Sequence, residues 1–169
     1  PGDEEIISCN DNLKFTLTSC TMTGTTATLS YMVENTGNTP ITLNLYGQSG
    51  GRSYIFDDQG NEYDFGYNKA SLTLGTAEGY NNACTTIPAG VKVKGTVKIH
   101  NVDDYASKFA NITIWSYNDD SYLIFKNVAI QGRSYHELEE PQTTGTVASC
   151  NENLEFTLTS CKISGSTAT

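Results

Sequence analysis

The chain has 169 residues, which points to about one domain, or one domain with an appendage. Hydrophobic residues make up 37% and charged residues only 17%, too apolar for a disordered chain, and no apolar run approaches the ~20 residues of a membrane-spanning helix. Lys+Arg total 10 against 19 Asp+Glu, a formal charge of −9, which argues against nucleic acid and anionic lipid, whose phosphates need a basic footprint.

The acidic opening, Pro1-Gly2-Asp3-Glu4-Glu5, suits a solvated tail or the segment just after a lipid-modified cysteine in a bacterial surface lipoprotein. Five cysteines follow, Cys9, Cys20, Cys84, Cys150 and Cys161, with no C-x-x-C pair. With only His100 and His136 beside them, zinc-ligand spacing is absent, and no metal or cofactor is expected. A Thr-, Asn- and Tyr-rich, Lys-poor composition fits an exported protein, extracellular or at a bacterial cell surface or periplasm, where thiols pair. An extended stretch from Leu13 to Ser19 spans about 23 Å. Bridged Cα atoms lie within ~7 Å, so Cys9–Cys20 is disfavoured. Cys84 is an alternative partner for either, and the connectivity stays open.

The apolar segments alternate with a period of two. Leu13, Phe15 and Leu17 alternate with Lys14, Thr16 and Thr18; Ala27, Leu29, Tyr31 and Val33 with Thr28, Ser30, Met32 and Glu34; Val91, Val93, Val97 and Ile99 with Lys92, Lys94, Thr96 and Lys98. One apolar and one polar face is the mark of a half-buried antiparallel strand. Turn signals separate the runs at Thr36-Gly37-Asn38-Thr39-Pro40, Asp58-Gln59-Gly60-Asn61, Pro88-Ala89-Gly90 and Asn118-Asp119-Asp120. A turn or two of helix is expected only around residues 102–109. Many short strands with regular turns give an all-β antiparallel β-sandwich.

Gly47-Gln48-Ser49-Gly50-Gly51 matches G-x-S-x-G, but a nucleophile elbow needs a strand-to-helix turn, and here the motif joins two strand-like runs. No catalytic residue is expected. Asp57, Asp58, Glu62 and Asp64 lack the order of a calcium loop and read as turn chemistry. Lys92, Lys94 and Lys98 read as a solvated strand face that discourages edge pairing.

The last hairpin is apolar on both faces. A four-residue loop over residues 118–121 places Tyr117 opposite Tyr122 and Trp115 opposite Ile124, with Ile112, Ile114, Leu123 and Phe125 behind them. Either residues 66–86 cover the outer face, or Trp115, Tyr117 and Tyr122 form an aromatic platform able to stack on sugars. Residues 66–86, rich in Tyr, Asn, Gly and Ser, have the mixture found in binding loops, and Tyr67, Asn68, Tyr80, Asn81 and Asn82 are its candidate contacts.

Residues 148–169 repeat residues 7–28 with 15 of 22 positions identical, Cys9 aligning with Cys150 at an offset of 141 residues. The expected organisation is a β-sandwich domain over residues 1–133, a polar, Pro- and Gly-broken linker over 134–147, and the truncated start of a second copy over 148–169. The orphan strand of that copy is expected to pair with a sheet edge, so strand exchange through residues 148–169 is a candidate interaction.

Three stretches carry a resemblance: Val33-Glu34-Asn35-Thr36-Gly37, Ile55-Phe56-Asp57-Asp58-Gln59-Gly60-Asn61-Glu62-Tyr63 and Ile87-Pro88-Ala89-Gly90-Val91. Their succession resembles a family of bacterial secreted immunoglobulin-like domains, over roughly residues 12–130. The resemblance implies an immunoglobulin-like antiparallel β-sandwich of about 7–9 strands, one unit of a tandem, cell-surface series. The family has no agreed enzymatic activity. This chain departs from it in its several cysteines and in residues 66–86. The expected function is a non-enzymatic exported module for adhesion, glycan or protein binding, or spacing. The alternatives are an accessory domain of a secreted hydrolase and an inhibitor of a secreted enzyme acting through residues 66–86.

Overall fold

The structure, a computed structural model, describes residues 4–48 and 50–133. They fall in the first of the two units into which the chain divides, Pro1–His136 and Glu137–Thr169. Ser49, the expected linker, the repeated segment, Cys150 and Cys161 lie outside the described residues.

Twelve strands and no helix are formed among the described residues: β1 Glu5–Ile7, β2 Leu13–Thr23, β3 Thr26–Asn35, β4 Ile41–Tyr46, β5 Tyr54–Asp57, β6 Glu62–Tyr63, β7 Ala70–Leu74, β8 Ala77–Gly79, β9 Asn82–Ile87, β10 Lys92–Ile99, β11 Lys108–Ser116 and β12 Ser121–Ala129. Nine of them exceed three residues. One sheet runs β2-β3-β10-β7-β8; the other runs β1-β12-β11-β4-β9, with β5 also on β11 and β6 on β5. Every strand pair is antiparallel. Lettering β2, β3, β4, β7, β10, β11 and β12 as A to G gives one layer in the order ABED and the other as CFG. That is the immunoglobulin-like arrangement of an all-β sandwich.

The period-two rows become the core. In β3 every second residue is buried, and Ala27, Leu29, Tyr31 and Val33 meet Leu43, Leu45, Ile112, Ile114, Leu123 and Phe125 of the other sheet's inner face. Each such Leu, Ile or Phe contributes about 1.5–3 kcal/mol relative to exposure. Phe15, Tyr31 and Phe125 form a ring chain with centroids 6.0 and 5.3 Å apart. Gly95 of β10 lies opposite Tyr31 in register, and the ring fills the space a side chain there would need.

The turn motifs fasten the layers. Asn35 is fully buried; its amide donates to the carbonyls of Thr39 at 2.8 Å and Ile87 at 2.9 Å, while its oxygen accepts from Gly37 N. The Pro88-Ala89-Gly90 turn closes on the same residue through Gly90 N to Asn35 O at 2.8 Å. Asp57 holds the β5–β6 hairpin. Its carboxylate accepts from Gln59 N, Asn61 N and Asn61 Nδ2, each at 2.9 Å, and from Tyr63 Oη at 2.6 Å. Tyr63 Oη in turn accepts from Asp103 N at 3.1 Å.

Two local expectations are corrected. Residues 102–109 form no helix, because Asp103 starts a turn that accepts from Tyr105 N on its side chain and Ala106 N on its carbonyl. Ser107 is then tied to Asp58, and Phe109 already belongs to β11. Arg133 braces the turn by donating to the carbonyls of Asp103 and Ala106. The lysines of β10 guard no edge: β10 lies between β3 and β7, and Lys92 pairs with Glu34 at 3.4 Å. A solvated outer face accounts for them.

The three described cysteines are free thiols, Cys9 and Cys20 buried and Cys84 exposed on β9. Burial pushes the Cys9 thiol up to about 11, against a hydrogen bond from Ser116, and the Cys20 thiol up to about 12, with Glu4 adding to it. Both stay protonated in the fold well above the pH at which they ionise once unfolded. The unfolded chain therefore binds fewer protons than the native one above about pH 9. The stabilisation is complete below that pH and is lost as pH rises through the two folded values, at up to about 1.4 kcal/mol per unit for each thiol. Melting followed from pH 8 to 11 is expected to fall steeply above 9, and Cys9→Ala with Cys20→Ala to flatten that fall. In a Cys150→Ser, Cys161→Ser background, native-state alkylation is expected to reach Cys84 alone.

Candidate recognition face

The C position of the sandwich is shared by two strands. Tyr46 and Leu45 of β4 pair with Trp115 and Ser116 of β11; after seven residues, Tyr54, Ile55 and Phe56 of β5 resume the pairing with Thr113, Ile112 and Asn111. The intervening loop leaves the sheet and returns to the same line. Ser53 bridges the gap, its hydroxyl donating to Tyr46 O at 2.5 Å and accepting from Trp115 N at 2.9 Å. Gly47 starts the loop with its N–H on Asn81 O at 2.9 Å, and a Cβ there would fall 2.6 Å from the Phe65 ring. The G-x-S-x-G segment therefore runs from strand to strand.

Inward residues of this sheet are apolar apart from Asp57 and Ser116, and its outward rows are rich in aromatics. Asn82, Tyr46, Trp115 and Tyr122 form one continuous cross-strand row over β9, β4, β11 and β12. Tyr46, Trp115 and Tyr117 form a ring triangle with centroids 5.5 to 5.6 Å apart. Tyr54 and Phe56 add an edge-on pair at 5.9 Å on β5. Tyr117 is 56% exposed, and Tyr122 and Tyr54 are also open to solvent. Arg52, from the loop, lies 4.3 Å over the Trp115 ring and pairs with Asp120 at 3.5 Å. The cation fixes the loop over the strip at a gain of about 0.5–1 kcal/mol for an exposed site.

Beside the strip, between the 47–53 loop and residues 62–69, a cleft of about 460 Å³ has Tyr54, Phe56 and Phe65 on its apolar side and Gln48, Ser53, Glu62, Asp64 and Lys69 on its polar side. Apolar rings flanked by amides and carboxylates match a sugar, whose C–H faces stack while its hydroxyls seek hydrogen bonds. Among the described residues no cluster of three or more His, Cys, Asp or Glu suits a metal.

The hairpin register differs from the expected one. Ser116 pairs with Ser121 and Trp115 with Tyr122, so the loop is residues 117–120 and Tyr117 sits in it. The cause is the hydrogen-bonding of that loop: Tyr117 N donates to Asn44 O at 3.0 Å, Asp119 accepts from Ser116 Oγ at 2.6 Å and Asn10 Nδ2 at 2.7 Å, and Asp120 takes φ 43°. Trp115, Tyr117 and Tyr122 nonetheless share the outer face. Residues 66–86 do not cover it. They supply β7 and β8 to the opposite sheet and β9 to this sheet's edge.

Of the other candidate contacts, Asn82 joins the aromatic row, and Tyr80 and Asn81 lie at its end beside Gly47. Tyr67 is 80% exposed, and Asn68, at φ 57°, lines a second cleft with Tyr63 and His100. These two are not part of the strip. Sequence reading missed Tyr46, Arg52, Tyr54 and Phe56; the signal was the outward register of Tyr46 in β4 and of Tyr54 and Phe56 in β5. No protein-family model, curated protein or solved structure matches the chain.

Proposed function

We propose that this domain is a non-catalytic, exported binding module of a bacterial cell surface, one unit of a tandem series, that holds an extracellular glycan against the outer face of its seven-stranded sheet. The observation that supports this reading is the aromatic strip across β5, β4, β11 and β12, continuous with a cleft edged by Gln48, Glu62 and Asp64. Contiguous apolar surface of this kind marks an interaction site on a soluble domain. Tyr117 and Tyr122 offer the accessible rings; Trp115, capped by Arg52, orients them. A sheet of paired strands, with the G-x-S-x-G segment joining strand to strand rather than strand to helix, favours holding over turnover.

The test is a glycan array read with the intact protein and with Tyr117→Ala/Tyr122→Ala. The wild type is expected to retain a family of neutral oligosaccharides, and the double variant to lose about tenfold or more in affinity, ~1.4 kcal/mol. Equal binding by the two proteins, or no binding by either, ends this reading. A protein partner engaged through the protruding Tyr67 is the second reading, favoured by its 80% exposure on a loop apart from the strip. Tyr67→Ala separates the two, since it leaves glycan binding unchanged.

A further inference from the structure

Among the described residues β2 occupies the edge of its sheet, pairing only with β3, and so is a removable element. Its repeat, residues 154–164, can be compared with it position by position. Every buried residue of the first copy, Cys9, Leu13, Phe15, Cys20 and Ala27, recurs unchanged as Cys150, Leu154, Phe156, Cys161 and Ala168. Six of the seven differences, at residues 7, 11, 14, 21, 23 and 25, fall on exposed positions, and the seventh replaces half-buried Met22 with Ile163. The Leu17–Ser19 stretch that makes the bulge is identical in sequence as well.

We infer that the edge of β3 is a docking site for residues 148–164 of a second copy of this chain, which enter where residues 7–23 sit and join molecules head to tail by strand exchange. Main-chain hydrogen bonds along β3 supply the affinity, and the slots for Leu13, Phe15, Leu17 and Cys20 supply the specificity, the logic of an added strand. One exposed difference ranks the occupants. Lys14 lies opposite Glu34 in register, whereas its counterpart is Glu155. Like charges directly opposite each other are unfavourable, so the resident strand is preferred and the exchanged one takes over when the resident is displaced. A heterologous contact of this kind joins molecules head to tail, into a ring where the rotation closes and an open chain where it does not.

The test uses the full chain. Phe15→Asp spoils the resident strand, Phe156→Asp the incoming one. Phe15→Asp is expected to keep its β-sheet circular dichroism and a cooperative melt while running as concentration-dependent oligomers in sizing columns; Phe156→Asp alone stays monomeric and folded; the double variant loses its transition. A synthetic peptide of residues 148–164 restores the transition of the double variant, and the same peptide carrying Phe156→Asp does not. Adding Glu155→Lys to Phe15→Asp raises its melting temperature. An unfolded Phe15→Asp chain, a folded monomer of it, or a double variant that melts as the single one does would each overturn the inference, as would failure of the peptide to rescue.

Discussion

Gly95→Ala is expected to destabilise the domain by about 3 kcal/mol, the upper end for overpacking a core. A Cβ built on Gly95 would sit 2.5 Å from Cε2 and from the hydroxyl oxygen of Tyr31, a ring that is wholly buried between Phe15 and Phe125. Nothing can give way, because the ring is wedged between two sheets and the glycine belongs to an inner strand paired on both sides. Denaturant melts of Gly95→Ala, Tyr31→Leu and the pair form a double-mutant cycle. Each single change is destabilising, one by crowding and the other by leaving a void, and the pair is expected to be more stable than Gly95→Ala by about 1 kcal/mol or more. Strict additivity would show that the two positions do not share one space. The same site offers a change of opposite sign. Among the described residues Tyr31 Oη has no hydrogen-bond partner and is buried, so Tyr31→Phe removes an unmet desolvation cost and is expected to raise stability by about 1 kcal/mol.

Asp57→Ala is the second large effect, expected at about 3 kcal/mol. The residue is 3% exposed and satisfies four donors, two on the backbone of its own hairpin, one on Asn61 and one on Tyr63. Its removal leaves the Tyr63 hydroxyl proton unpaired in a place where burial, followed by the Asp57 carboxylate, already pushes the phenol above its ordinary range. It also frees the link from Tyr63 to Asp103 N that ties the β5–β6 hairpin to the turn before β11. Asp57→Asn keeps one acceptor and is expected to cost about half as much; Tyr63→Phe should cost about 1.5 kcal/mol and, combined with Asp57→Ala, add little. Thermal melts of the three variants and the pair check this. A full additive loss in the double variant would contradict a shared network.

The layers were readable from the sequence because their cause is local. Alternation in residues 13–17, 27–33 and 91–99 follows from one wet and one dry face, and the dry rows enter the core except at Val91, which is exposed, and at Leu17 and Val93, which are only partly buried. Asp57 was readable as a turn residue for the same reason, although its burial was not. What could not be read is set by pairing at a distance. The hairpin register depends on Asn44 and Asn10, which reach the 117–120 loop from elsewhere in the chain. The position of residues 66–86 depends on which edge accepts β9 and which accepts β7. The aromatic strip combines β4, β5, β11 and β12, so that Tyr46 meets Trp115 only after the chain has crossed the sandwich. Two strands sharing one position, with a single serine closing the seam, leave no trace in periodicity.

That seam has an engineering consequence. The ladder resumes through one hydroxyl; Gly47 ends the pairing with its bond to Asn81, and beyond it Arg52 overhangs the aromatic side of the sheet. The intervening loop is free to diverge in length and chemistry while the scaffold beneath stays constant, provided Gly47 and Ser53 are retained as its splice points. Domains built on the same interior are thereby able to display different fingertips.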